Sequence, residues 1–194
     1  MDGGSTRENL ESRIERVLRD EIEIVDYDPD WPRLFEVEAR YLRAVLPAGS
    51  IGRVEHFGST AIPGMPAKPI VDMLIETRSL EETQQLIVPE LESRGYDYFW
   101  RTDVPAPYSW FIKRDERGRR THHLHMDEAG SSLWERLLFR DYLREFPFEA
   151  RLYDELKRRL AREHRKDRIA YTQGKTDFVV SMTEAAKRYY NRES

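Results

Sequence analysis

His56-Phe57-Gly58-Ser59-Thr60-Ala61-Ile62-Pro63-Gly64-Met65-Pro66-Ala67-Lys68-Pro69-Ile70-Val71-Asp72 is the stretch on which the fold turns. Residues 54–57 read as a strand that feeds into Gly58-Ser59. A loop of small residues and prolines follows. Residues 70–75 then read as a second strand, apolar except for Asp72. Gly58 lets backbone N–H groups approach an anion closely. Ser59 adds a hydroxyl donor, and Lys68 can supply charge to a phosphate. Asp72, between Val71 and Met73, is costly to bury unless a cation or another partner holds it. The loop is not a P-loop, because five residues separate Gly58 from Gly64 and Lys68 stands three positions too late. The plain alternative is a tight Gly/Pro loop with the strand acid paired to an arginine.

Working outward, residues 1–8 are small and polar and are expected to fray. Ile14 and Val17 recur at helical spacing, so residues 1–21 read as an N-terminal extension with a short helix. Residues 22–194 read as a single domain. A short strand is expected at 22–25. Asp30 is placed as the N-cap of a helix with Pro32 in its first turn. Its apolar stripe is Leu34, Phe35, Val37, Tyr41, Leu42 and Val45. Ser79 and Glu82 form a capping box before a helix to about Arg94, which Pro89 interrupts and Gly95 caps. Strands are expected at 96–101, 109–113 and 120–126, the last two as a hairpin. From Ser131 the pattern turns helical. Leu133, Trp134, Leu137, Leu138 and Tyr142 share one face, Pro147 breaks that helix, and two more follow at about 148–166 and 175–190. The fold class is α+β (mixed α/β), a mixed β-sheet flanked by helices with a helical C-terminal part.

The 194 residues suit one domain. Ten Tyr, eight Phe and four Trp argue against disorder. With 32 basic and 36 acidic residues the net charge is −4, which gives no field for non-specific nucleic-acid binding. The basic run Lys157-Arg158-Arg159 to Arg168 is diluted by Glu163 and Asp167 and reads as a solvated helix face ahead of an RNA-binding stripe. Cysteine is absent, which excludes disulfides, thiolate zinc and a thiol nucleophile and fits a reducing cytoplasm. No apolar run approaches the ~20 residues of a membrane span, and the N-terminus lacks the order of a secretion signal. A cytoplasmic protein without a membrane partner is expected.

His122, His123 and His125 fall in one expected strand. Alternation puts His122 with Leu124 and Met126, and His123 with His125 and Asp127 on the opposite face. Two histidines two apart are a strand-borne metal pair, with Asp127 or Asp72 as the oxygen ligand. The plain alternative is that they are partly exposed and hydrogen-bonded. His56 reads as a strand-end structural residue, with metal ligand or phosphate donor as the alternatives. Arg140 could clamp a phosphate with its planar fork or settle surface charge. Lys175, at a helix start where it opposes the macrodipole, reads as an anion ligand or an exposed turn lysine. Tyr108 and Trp110, near Pro105 and Pro107, are expected to line a cleft.

The arrangement resembles the nucleotidyltransferase superfamily and, more narrowly, the GrpB family. The resemblance runs over most of residues 22–190. It is carried by Tyr27-Asp28-Pro29-Asp30-Trp31, by His56 to Gly64, by Lys68-Pro69-Ile70-Val71-Asp72, by Thr121-His122-His123-Leu124-His125 and by Leu138-Phe139-Arg140-Asp141-Tyr142-Leu143. It implies triphosphate binding at Gly58-Ser59 and divalent metal on the strand carboxylates. The superfamily's second acid is Leu74 here, and Glu76 lies about 13 Å from Asp72 along a strand, too far to share an ion. The leading expectation is a metal-dependent nucleotidyltransferase-like protein handling a nucleotide or phosphorylated small molecule. Gly58, Ser59, Lys68, Arg140 and Lys175 would hold phosphate. Asp72 is the catalytic residue, and Asp72, His123 and His125 would bind Mg, Mn or Zn. The alternative is a catalytically inactive nucleotide- or coenzyme-binding or accessory domain, since the family resemblance includes fusion to a coenzyme A biosynthetic kinase.

Overall fold

The computed structural model describes residues 10–102 and 107–191. The expected fraying of residues 1–8 and the position of Pro105 lie outside that range. Five strands, β1 (Ile51–Phe57), β2 (Val71–Thr77), β3 (Asp97–Arg101), β4 (Tyr108–Arg114) and β5 (Arg120–Glu128), form one sheet in the order β1-β2-β5-β4-β3. The central pair β2–β5 is parallel and the other pairs are antiparallel, so the sheet is mixed. β4 and β5 are the expected hairpin.

One face of the sheet is closed. Val71, Met73 and Ile75 of β2 and Leu124 and Met126 of β5 are at most 1% exposed. They pack with Leu42 of helix α2 (Trp31–Val45) and Leu91 of helix α4 (Val88–Ser93). Buried Glu38 enters this layer with its charge satisfied by the Tyr96 hydroxyl and the Lys113 ammonium. The other face carries Leu74, Trp110 and Ile112 and meets the C-terminal helices. These are α5 (Arg136–Glu145), α6 (Pro147–Glu163), α7 (Arg168–Gln173) and α8 (Thr176–Tyr190). Pro147 ends α5 and opens α6, where its missing N–H costs nothing. Gly174 lets the α7–α8 corner sit against Leu160 of α6, because a Cβ there would lie 2.6 Å from a Leu160 methyl.

Helix α1 (Leu10–Arg19) is pinned to α4 by Arg13 to Glu92 at 2.6 Å and to the edge strand β3 by Arg16 to Asp97 at 2.7 Å. Several local expectations need correction. Residues 22–25 form no strand, only the single bridge Val25–Ala67. Asp30 stands at the N-cap of α2, but its carboxylate turns to Arg33 instead of the backbone. Val37 faces solvent. Ser79 does cap, accepting from Glu82 N at 3.0 Å ahead of α3 (Leu80–Glu82). The helix then widens into a π turn at Thr83–Ile87 before Pro89. Helix α7 is an element the 3.6-residue pattern did not reveal.

Candidate metal and phosphate site

Asp72 lies one residue into β2, opposite Phe57 of β1 and His123 of β5, and Leu74 lies opposite His125. Parallel register and two-residue alternation therefore put Asp72, His123 and His125 on one face, the face turned to the C-terminal helices. His123 Nδ1 is 3.1 Å from Asp72 Oδ1, and His125 Nε2 is 3.7 Å from the same oxygen. One ligand atom from each residue fits within 4.8 Å of the others. The Asp72 side chain is 28% exposed, against 10% and 8% for the histidines, so the cluster opens to solvent at its carboxylate.

Gly58 sits directly against that carboxylate. Its φ is +72°, and a Cβ there would fall 2.5 Å from Asp72 Oδ2. Glycine is required twice over, for the left-handed backbone and for the close approach. Ser59 opens a 3-10 turn (Ser59–Ala61). Lys68 and Lys175 are half-buried, with Nζ 5.2 and 4.4 Å from the centre of the Tyr171 ring.

Burial lowers His123 to about 3 and His125 to about 4, against the upward pull of Asp72. Both imidazoles are neutral near pH 7, the form that binds metal. Burial pushes the Asp72 carboxyl up, but His123 and His125 outweigh it and hold the group well below the usual carboxylate range. Burial, followed by mutual repulsion with Lys175 and Arg168, holds the Lys68 ammonium well below its ordinary value. Burial lowers Lys175 to about 8.

The sequence model of the GrpB protein matches residues 21–185. The chain belongs to the GrpB family. A UPF0157 protein of Pseudomonas aeruginosa is 44% identical over 164 residues, covering 83% of this chain and 66% of that protein. YqkA of Bacillus subtilis, also a UPF0157 protein, is 40% identical over 169 residues, covering 87% of this chain and 48% of that one. The chain thus spans about two thirds and about half the length of these relatives. The crystal structure of the conserved protein GrpB from Enterococcus faecalis has a TM-score of 0.76 at 32% identity, covering 87% of this chain and 99% of that one. A dephospho-CoA kinase of Mycolicibacterium paratuberculosis matches 45% of this chain at 34% identity, over 21% of its own length.

In this GrpB chain the donor set suits a divalent ion. His125 Nδ1 is 3.2 Å from the Tyr108 hydroxyl, while Nε2 is buried without a hydrogen-bond partner. A proton on Nδ1 leaves the Nε2 lone pair free beside Asp72, the arrangement a metal-bound imidazole needs. His123 Nε2 is 3.5 Å from Arg120 Nη1, the outer limit of a hydrogen bond. An ion at Nδ1 would replace the hydrogen bond to Asp72 and move the ring proton to Nε2, where only that weak contact is lost. Tyr108 stacks on His125 at 5.4 Å and Trp110 stands edge-on to His123 at 5.2 Å, so both aromatics wall the cluster.

Asp127 lies outside this cluster. It caps Glu128 N at 2.8 Å, which leaves Asp72 as the oxygen donor. His56 is structural, bonded to Thr60 at 3.0 Å and stacked on Phe35 at 5.0 Å. The geometry sets Arg140 apart from the other phosphate candidates. Its guanidinium is held by Asp141 at 2.7 Å, Glu55 at 2.8 Å and the His56 carbonyl at 2.7 Å, so it braces β1 against α5.

The basic run on α6 is not uniformly solvated. Lys157 is 2% exposed, donates to the Pro66 carbonyl and is lowered to about 7 by burial. The signal was its spacing, four residues after Tyr153 and three before Leu160 on the buried face. Among the described residues no helix is long and apolar enough to cross a membrane.

Proposed function

We propose that this chain is a metal-dependent, nucleotidyltransferase-like protein that acts on a nucleotide or another phosphate compound. One observation carries the reading: Asp72, His123 and His125 offer three ligand atoms within 4.8 Å, beside the Gly58 backbone and open to solvent at the carboxylate. Two imidazoles and one carboxylate favour zinc or manganese over magnesium. The missing acid at Leu74 is then no defect of the site, since its register partner His125 supplies the donor. Once bound, the ion supplies Lewis-acid charge to a phosphoryl oxygen.

The chain's own residues do the rest. Gly58 and Ser59 bring backbone and hydroxyl donors to the phosphate, and Lys68 and Lys175 neutralise it. Tyr108 holds His125 in register. The test is calorimetric titration of the metal-stripped chain with nucleoside triphosphates, alone and with Mg, Mn or Zn. Saturable binding strengthened by zinc or manganese, and lost in Asp72→Ala, is the expected result. Absence of nucleotide binding with every metal removes the reading.

A further inference from the structure

The α7–α8 corner holds cations that no carboxylate pairs directly among the described residues. Arg168, at the first position of α7, donates from Nη1 to the carbonyls of Asp20 and Glu21 at 3.2 and 3.3 Å. Its Nη2 is buried and has no hydrogen-bond partner. Lys68 and Lys175 share the Tyr171 ring. Among the described residues none of these three cations forms an ion pair with a carboxylate; Lys68 feels the charges of Lys175 and Arg168, Lys175 feels that of Arg168, and Asp72 acts on all three. The contrast with the α1 edge is direct. Arg114 and Arg120, with side chains only 9% and 4% exposed, are met by Asp20 at 3.1 and 2.5 Å, and Arg114 also by Asp97 at 3.1 Å. Two ammonium groups over one ring, with Arg168 three residues before that ring on α7, cost stability through repulsion and desolvation unless an anion meets them.

We infer that Arg168, with Lys68 and Lys175, forms an anion cradle that binds a phosphate group by itself, without the metal. The guanidinium is anchored through Nη1, which leaves Nη2 to donate to a phosphate oxygen. The planar fork gives a directed contact that the two ammonium groups cannot. The burial that lowers all three groups, and the repulsion of Lys68 by Lys175 and Arg168 and of Lys175 by Arg168, would be relieved by the ligand's charge. The inference deepens the reading above by sharing its phosphate ligand, and it does not depend on the ion.

The probe is inorganic pyrophosphate, titrated calorimetrically into the full chain after metal removal. Wild type is expected to bind saturably. Arg168→Met should weaken binding at least tenfold, Arg168→Lys by less, and the exposed control Arg162→Gln not at all. Lys175→Gln, which leaves the α7 carbonyl contacts in place, serves if Arg168→Met fails to fold and should weaken binding likewise. Unchanged affinity in a folded Arg168→Met, or no saturable binding by metal-free wild type, overturns the cradle. Zinc titration of the same proteins separates the two readings. Zinc binding retained in Arg168→Met with pyrophosphate lost supports the cradle. Pyrophosphate binding in a wild type that takes no zinc removes the metal site and leaves the cradle standing.

Discussion

The two faces of the β2–β5 ladder are built from alternate residues of the same two strands, and they differ in almost every physical respect. On one, Val71, Met73, Ile75, Leu124 and Met126 are sealed under α2 and α4, and the buried charge of Glu38 has its partners. On the other, Asp72, His123 and His125 leave an open carboxylate and the His125 Nε2 without a hydrogen-bond partner, near cations that form no ion pair with a carboxylate among the described residues. Each face keeps buried polar atoms without a partner, Thr77 Oγ1 and His122 Nε2 on the first and His125 Nε2 on the second. What sets the second apart is that its donors converge and its carboxylate reaches solvent. Side-chain alternation thus lets one pair of strands hold the fold and present chemistry, and the two roles can be perturbed separately.

The largest effect expected is on the open face. Asp72→Ala should lower zinc affinity by more than about 100-fold, since it removes a ligand and not merely a supporting group. Calorimetric titration checks this, with circular dichroism to confirm the fold. Met73→Ala should do the reverse. It should cost about 2–5 kcal/mol in urea unfolding by opening a cavity under α2 and leave zinc affinity unchanged. A loss of zinc binding there would mean that the faces are not independent.

Gly58→Ala bears on both at once. A non-glycine residue at positive φ costs about 1–3 kcal/mol, and its Cβ would displace the Asp72 carboxylate, so stability and zinc affinity should fall together. Tyr108→Phe removes the partner of His125 Nδ1 and should weaken zinc binding by about tenfold with little change in stability.

A further effect is in pH. His123 at about 3, and His56 and His125 at about 4, stay neutral in the fold while an unfolded histidine takes a proton below about 6.5. The unfolded chain therefore binds more protons between pH 6.5 and 4. Stability in the absence of metal should fall as pH drops through that window. Denaturant midpoints at pH 7.5, 5.5 and 4.5 measure it, and a flat profile would contradict the neutral imidazoles.

Strand periodicity made the site's geometry legible in advance. Alternation alone put His123 and His125 on one face, and the acid inside an apolar strand marked Asp72. Register was not legible. Whether Asp72 or Asp127 meets the histidines depends on which strand pairs with β2, a long-range fact that no local pattern carries. Arg168 and Lys157 were hidden for another reason. In a helix dense with charges, one cation turned inward looks like its solvated neighbours, and only its spacing from Tyr153 or Tyr171 gives it away. Arg140 shows the converse, because an arginine suited to a phosphate serves equally well to hold Glu55 and a carbonyl. The short helix α7 escaped because six residues are too few to show a period.

The most direct test of the central claim is zinc K-edge absorption of the stoichiometrically loaded chain. Two imidazole nitrogens and carboxylate oxygen at about 2.0–2.2 Å, with the imidazole signal halved in His125→Ala, is the predicted result. A zinc shell of oxygen alone, or one unchanged in that variant, would contradict the account.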